Sequence, residues 1–437
     1  MRTAWTYVSA NPDIFEKELV NFGARFSHFI FLNGHDYAQG FPSLMAFGNH
    51  DALTIREEDG PVIKDPFNQL SDFVNKHSDW IFGHLNYELK QFIEKLPAKL
   101  KPQQSFPLLH FFVPELVVRR TNNRFDFLFH PDHPLAKAPS TILELLANKP
   151  NQPLFPPSPE SPTIQARIAK KEYLKQIACV QNHIQQGDLY EANFCQEFYF
   201  EQAGIHLIET YEALNKLSKA PFSALYRVED NWLLSASPER YLKKEGNKII
   251  AQPIKGTARR GKHAEEDRLI QQELLESVKE RAENTMIVDL VRNDLSRTAE
   301  RGSVQVEELC GLYSFPQVHQ LISTISSRIS TETDPVEVIR TTFPMGSMTG
   351  APKISAMEII ESTEAVQRGI YSGSVGYFDP NKDFDFNVVI RSLVYNQASG
   401  SGSWKVGSAI TALSNAEEEY EECKLKAAAL HQLFQQD

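Results

Sequence analysis

The chain has 437 residues, of which 41% are hydrophobic and 23% charged, a balance that suits a globular protein with a sizeable core. Its formal net charge of −11 argues against nucleic acid or an anionic membrane surface as the main partner, so an anionic small molecule would need local cations or a metal. Four scattered cysteines (Cys179, Cys195, Cys310, Cys423) with no C-x-x-C pair read as reduced cytoplasmic thiols.

In chain order, the first residues, MRTAWTYVSANPDIFEKEL, lack the basic stretch and apolar run of a secretion signal, and no window approaches 18 apolar residues, so no membrane span is expected. Residues 1–148 alternate short apolar runs such as HFIFLN and LLHFFVPELVVRR with polar turns, which predicts antiparallel sheet. The segment 149–163, KPNQPLFPPSPESPT, cannot form a helix or a central strand and marks a connector to the region 164–437. There, residues 170–186 have helical spacing and stop at Gly187, a natural C-terminal cap. FSALYRVEDNWLLSAS predicts a hairpin, and 263–288 a long charged helix that becomes apolar at MIVDLV. A helix begins near Pro352, because proline is tolerated in a first turn. YSGSVGYFD, DFNVVIRSLVY and SWKVGSAITAL predict strands, and 415–434 a closing helix. Mostly antiparallel sheets with outer helices make the fold class α+β.

Several residues along this path have chemical potential. KERAEN places Glu280 and Glu283 three apart on one helix, and EEEYEE does the same with Glu419 and Glu422. Two such helices can aim four hard oxygen donors at one point, a set that suits Mg²⁺; the same pattern also describes a solvated helix face. MGSMTGAPK offers glycines, hydroxyls and backbone N–H groups at a helix entry, either an anion site or a plain cap. Gly407-Ser408-Ala409 lies inside a strand, where small side chains admit a ligand close to the backbone or mark a bulge. Arg391 in VVIRSL needs a carboxylate if it is buried and none if it faces water. Glu239 in SASPERY can keep its proton and act as a general acid in apolar surroundings, or be a surface turn residue. His319 in QVHQL is either a catalyst or a satisfied core histidine.

Taken together, Ser237-Pro238-Glu239, Pro253-Ile254-Lys255-Gly256-Thr257, MIVDLVRNDL, GSMTGAPKISAMEII, QRGIYSGSVGYF, FNVVIRS and EEEYEECKLKA resemble, in order and spacing, the chorismate-utilising enzymes. That family includes anthranilate, aminodeoxychorismate, isochorismate and salicylate synthases. The resemblance covers about residues 165–430 and implies an α/β/β/α sandwich of two large sheets. It implies Mg²⁺ on Glu283, Glu419 and Glu422 with Glu280 beside them, the metal gripping the ring carboxylate of chorismate. It implies that Arg391, Tyr371 and the backbone of Gly407, Ser408 and Ala409 hold the enolpyruvyl carboxylate, with Thr257 and Thr349 also contacting substrate. Lys426 matches a lysine at the metal end, His319 a histidine near the ring, and Glu239 the acid that helps the C4 hydroxyl leave.

Within the family, Lys255 is the separator. P-I-K-G-T resembles the branch that aminates chorismate at C4, whereas P-[IL]-A-G-T belongs to the anthranilate branch. A lysine near C2 can attack there and expel the C4 hydroxyl, and ammonia can then attack C4 and expel the lysine. For this Lys255 must be neutral part of the time, which burial and the cations Arg259 and Arg260 are expected to favour. Isochorismate and salicylate synthases resemble one another in using a lysine to activate water on the strand corresponding to YEANFCQ. Here Glu191 stands at that place, with no lysine from Gly187 to Phe200. No cysteine lies in a G-x-C-x-G context, so the resemblance implies a separate glutamine amidotransferase as ammonia source. Departures from the family pattern are Met345 for the first glycine before T-G-A-P-K, Gly407-Ser408-Ala409 for G-[AG]-G, Ser392 for threonine and Leu413 for an acid.

Overall fold

The structure, a computed structural model, describes residues 1–62, 65–96, 100, 106–147 and 161–434. The proline-rich connector therefore lies, except for 161–163, outside the described residues. Two antiparallel sheets of 12 and 10 strands stand face to face. The alternation of side chains along each strand explains the layering. In His28–Asn33, Ile30 and Leu32 join Phe82, Phe112, Tyr226, Leu233 and Val375 in the core between the sheets, while Phe29 and Phe31 face outward into a second core. Tyr173 and Ile177 of the helix Lys170–Gln186 and Cys423 and Ala427 of the helix Ala416–Gln432 cover that outer face. Ile287, Val288, Val291 and Leu295 of the helix Val278–Ser296 cover the far face of the other sheet. This is the expected α+β sandwich. Each fully buried phenylalanine, leucine or isoleucine contributes about 1.5–3 kcal/mol, so three apolar layers outweigh any single polar feature.

Both sheets draw on both halves of the sequence. In the larger, His28–Asn33 pairs with Phe222–Val228; in the smaller, Ile81–Leu85 pairs with Ser374–Phe378. The split into 1–148 and 164–437 is thus a division of the sequence and not of the sheets.

The helix 170–186 ends at Gly187 with φ +86°, as its left-handed cap requires. The hairpin forms between Phe222–Val228 and Asn231–Ser237, and the closing helix is capped by Asn415. Two expectations change. The long charged helix is two helices, Ala264–Glu276 and Val278–Ser296, because Ser277 leaves helical geometry and its hydroxyl caps the second through the N–H of Glu280. DFNVVIRSLVY is two strands, Phe384–Asn387 in the smaller sheet and Ser392–Asn396 in the larger. The chain crosses between sheets at 388–391, with Arg391 at φ +52°. It makes the opposite crossing at Pro238-Glu239, between Asn231–Ser237 and Arg240–Glu245. Both crossings bring polar residues to the place where the sheets part.

Candidate active site

A cavity of about 500 Å³ opens there, lined by Glu239 and Arg391 from the crossings, Lys255 and Thr257 from the strand Ile254–Arg259, and Tyr371. Gly407 and Ala409 of the strand Ser401–Thr411 form another wall. Glu280 and Glu283 enter from the helix Val278–Ser296, and Glu419, Glu422 and Lys426 from Ala416–Gln432. The i, i+3 carboxylate pairs thus do meet across one cavity.

Each group's charge follows from its surroundings. Burial raises the Glu239 carboxyl to about 7, against the opposing pull of the Ser347 hydroxyl, which donates at 2.5 Å, and of the Lys255 charge. Burial likewise raises Glu283 to about 7 and moves Glu280 upward. Burial also acts upward on Glu422, but Lys426 and Lys279 outweigh it and hold this carboxyl below its ordinary value. Lys426 pairs with Glu422 and donates to the Gly407 carbonyl at 2.9 Å. The Arg391 guanidinium donates to the Lys426 carbonyl at 3.2 Å and has no ion-pair partner among the described residues. Its pKa is lowered by burial, partly offset by Tyr371 and Glu422. A cation held here without a carboxylate can accept an anionic group.

Lys255 is 9% exposed, and its ammonium donates to Glu191 Oε1 at 2.6 Å. Burial alone would lower its pKa; Glu191, Glu283 and Glu239 outweigh burial and raise it. This corrects the expectation that Arg259 and Arg260 keep Lys255 neutral. Those two side chains are spent on Glu266 at 2.6 Å and Asp267 at 2.7 Å.

Three further candidates are placed elsewhere. His319 is fully buried, faces away from the cavity and contacts Asp267 Oδ1 and Ser314 Oγ at 2.9 and 2.8 Å, so it is a satisfied core histidine; its neighbour Gln320 lines the cavity instead. The Thr349 hydroxyl turns back to the carbonyls of Met345 and Gly346 and does not reach the cavity wall. Ser408 alternates to the outer face, where its hydroxyl meets Tyr173, so only Gly407 and Ala409 of that trio face the cavity. A Cβ at Gly407 would lie 2.2 Å from Asn193 Oδ1, so a larger residue there would displace the Asn193 side chain.

Sequence reasoning missed Asn193, Ser347, Lys279 and the contact between Glu191 and Lys255. Period-two alternation could have flagged that Glu191 and Asn193 of the strand Glu191–Phe200 share a face. Lys279 precedes Glu280 and lies 4.0 Å from Glu283 and 3.9 Å from Glu419, an ammonium among carboxylates. Glu283 Oε1 is buried without a hydrogen-bond partner. An unsatisfied buried oxygen, hard donors and an organic cation placed among them together fit a divalent metal ion. No three of these glutamates bring ligand atoms within 4.8 Å of one another among the described residues, so water and ligand oxygens would have to complete a shell. Behind the cavity, Arg368 donates to the carbonyls of Met348 at 2.6 Å and Asn193 at 2.7 Å while paired with Glu364 at 2.6 Å.

The family model described as chorismate binding enzyme matches residues 27–432. The aminodeoxychorismate synthase component 1 of Escherichia coli (strain K12) is 32% identical over 399 residues, covering 88% of this chain and 86% of that protein. The probable chloroplastic aminodeoxychorismate synthase of Oryza sativa subsp. japonica is 42% identical over 264 residues, 60% of this chain. An aminodeoxychorismate synthase of Streptomyces griseus is 36% identical over 369 residues, 81% of this chain. The matches span only 29% and 50% of the rice and Streptomyces proteins. Anthranilate synthase component I from Streptococcus pneumoniae TIGR4 superposes with a TM-score of 0.77 at 25% identity, over 91% of this chain and 94% of that one. With its sandwich, its facing glutamates and a family match over nearly its whole length, the chain belongs to the chorismate-binding enzymes.

Proposed function

We propose that this chain converts chorismate and ammonia to 4-amino-4-deoxychorismate, with Lys255 as nucleophile and Glu239 as general acid. The observation that carries the reading is Lys255 itself, a lysine on the cavity wall close enough to Glu239 for their charges to interact. The Lys255 amine forms a bond to C2; the C1=C2 pair moves to C1–C6, the C5=C6 pair moves to C4–C5, and the C4–O bond breaks. Glu239, raised by burial to about 7 and so about half protonated at neutral pH, gives the departing hydroxyl its proton, and water leaves. Ammonia attacks C4, the pairs return, and the C2–N bond to Lys255 breaks. The Glu239 carboxylate takes the surplus proton from the new C4 amine. Addition and expulsion at C2 place nitrogen at C4, which direct attack at C2 would not.

Arg391 receives the enolpyruvyl carboxylate, and Gly407 gives that group access to the backbone. Glu283, Glu419 and Glu422, with Glu280 beside them, would hold Mg²⁺, which would supply positive charge to the ring carboxylate. A glutamine amidotransferase subunit supplies the ammonia. In support, three of the four cysteines are buried and none has a glutaminase-like sequence context, and several relatives are named as component 1 of an enzyme. The test is product identity: chorismate, Mg²⁺ and ammonium at about pH 8.5, with products resolved by chromatography and mass. The expected product is aminated at C4 and yields 4-aminobenzoate with a lyase; anthranilate would overturn the reading.

A further inference from the structure

The reaction just described needs a proton acceptor that it does not name. Lys255 rests as an ammonium, because burial, which would neutralise it, is outweighed by the carboxylates of Glu191, Glu283 and Glu239. An ammonium has no lone pair, so its proton must move before nitrogen can attack carbon. Glu239 cannot take it, since the leaving hydroxyl requires that group protonated. Glu283 is not within ion-pairing distance of Lys255, whereas Glu191 is in direct contact at 2.6 Å.

Glu191 is also an unusual residue in its own right. It begins the strand Glu191–Phe200, is 1% exposed and contacts Lys255. Its Oε1 accepts from Lys255, while Oε2 is buried with no hydrogen-bond partner. A buried bare carboxylate oxygen costs about 1–3 kcal/mol and has no structural use here. It leaves one acceptor site vacant on the group that touches the nucleophile.

We propose that Glu191 is the proton acceptor and donor for Lys255, an inference that rests on the C4-amination reading. In the forward step one Nζ–H bond breaks and its proton goes to Glu191, leaving a neutral amine to form the bond to C2. When ammonia expels the lysine, the Glu191 carboxylic acid returns the proton to the departing amine, and both groups regain their starting charge. Glu239 completes an independent cycle at C4, giving its proton to the hydroxyl and recovering one from the new amine. Two carboxylic acids thus serve the two ring carbons separately.

The test compares wild type with Glu191→Gln, which keeps shape and one acceptor but not basicity. Turnover with ammonium, compared at a pH below the variant's own Lys255 half-reaction so that the lysine is an ammonium in both proteins, is expected to fall about 100-fold with the chorismate KM within about threefold. Glu191→Asp, which keeps the carboxylate, should recover a substantial part of the loss. In parallel, Lys255 acetylation by acetic anhydride is followed by peptide mass across pH. In wild type its half-reaction should lie at or above that of exposed lysines, and in Glu191→Gln well below it, as the buried amine loses its counter-charge. Turnover within threefold of wild type, a loss residing in KM, or unshifted labelling would each overturn the proposal. If Glu191→Gln does not fold, wild-type labelling below the exposed lysines overturns it, because a resting neutral amine needs no base. If wild type makes no C4-aminated product, the reading of the reaction falls, and the labelling shift alone judges the Glu191–Lys255 coupling.

Discussion

Two buried charged regions lie a few residues apart and behave oppositely. Behind the cavity, Lys90 pairs with Glu88 at 2.5 Å and Glu361 at 3.2 Å, and Arg368 with Glu364 at 2.6 Å, all but Glu364 at most 2% exposed. There, cations are matched by carboxylates and backbone carbonyls. In the cavity, Arg391 has no carboxylate partner among the described residues, Glu283 and Glu191 each keep a bare oxygen, and two carboxyls are raised to about 7. Burial of charge is common to both; what sets the cavity apart is Arg391, a cation with no carboxylate partner among the described residues, which an anionic ligand can complete. The paired cluster instead braces the wall from behind, through the Arg368 contacts to Met348 and Asn193.

The contrast is broken most sharply by Lys255→Ala, expected to reduce formation of the C4-aminated product on the order of 10⁴-fold, read by product assay, with a lowered melting temperature by calorimetry because it strands the buried Glu191. On the other side, Arg368→Met should cost about 3–5 kcal/mol in denaturant unfolding, because it strands Glu364. Adding Glu364→Leu should recover about half of that loss, since Met348 and Asn193 still lose a donor. Glu239→Gln separates stability from function. The unfolded carboxyl ionises near 4.5 and the folded one near 7, so wild-type stability from this group declines as pH rises through that window and is level above it. Removing the proton demand should stabilise the protein by about 3 kcal/mol at pH 8, and by little at pH 4, while abolishing most turnover. Equal stabilisation at both pH values would show that burial does not hold the proton there. The smallest effect is expected of Gly407→Ala, whose Cβ would collide with Asn193; a chorismate KM raised about tenfold, at a cost of about 1–3 kcal/mol in packing, is the expected reading.

Much of this was legible in sequence because local rules dominate locally. Gly187 capped its helix, the hairpin at 222–237 formed, and both i, i+3 glutamate pairs turned one face to the cavity. What was not legible depends on which sheet a residue joins. VVIRSL reads as one strand, yet Arg391 marks the point where the chain leaves one sheet for the other. His319 and Gln320 are adjacent and equally polar; only strand pleat decides which one faces the cavity. The charge of Lys255 was misjudged because Arg259 and Arg260 are close in sequence, whereas Glu191, 64 positions away, is close in space. Electrostatics follows the fold, and sequence neighbours are poor guides to it.

Because His28–Asn33 is zipped to Phe222–Val228, residues about 200 apart in sequence sit opposite one another in the middle of the larger sheet. A chain cut between 148 and 160 would yield two pieces, neither owning a finished sheet: each would present raw strand edges that only the other can close. Such pieces are obligate complements. Co-expressed, they would rebuild a single catalyst, while either alone would aggregate.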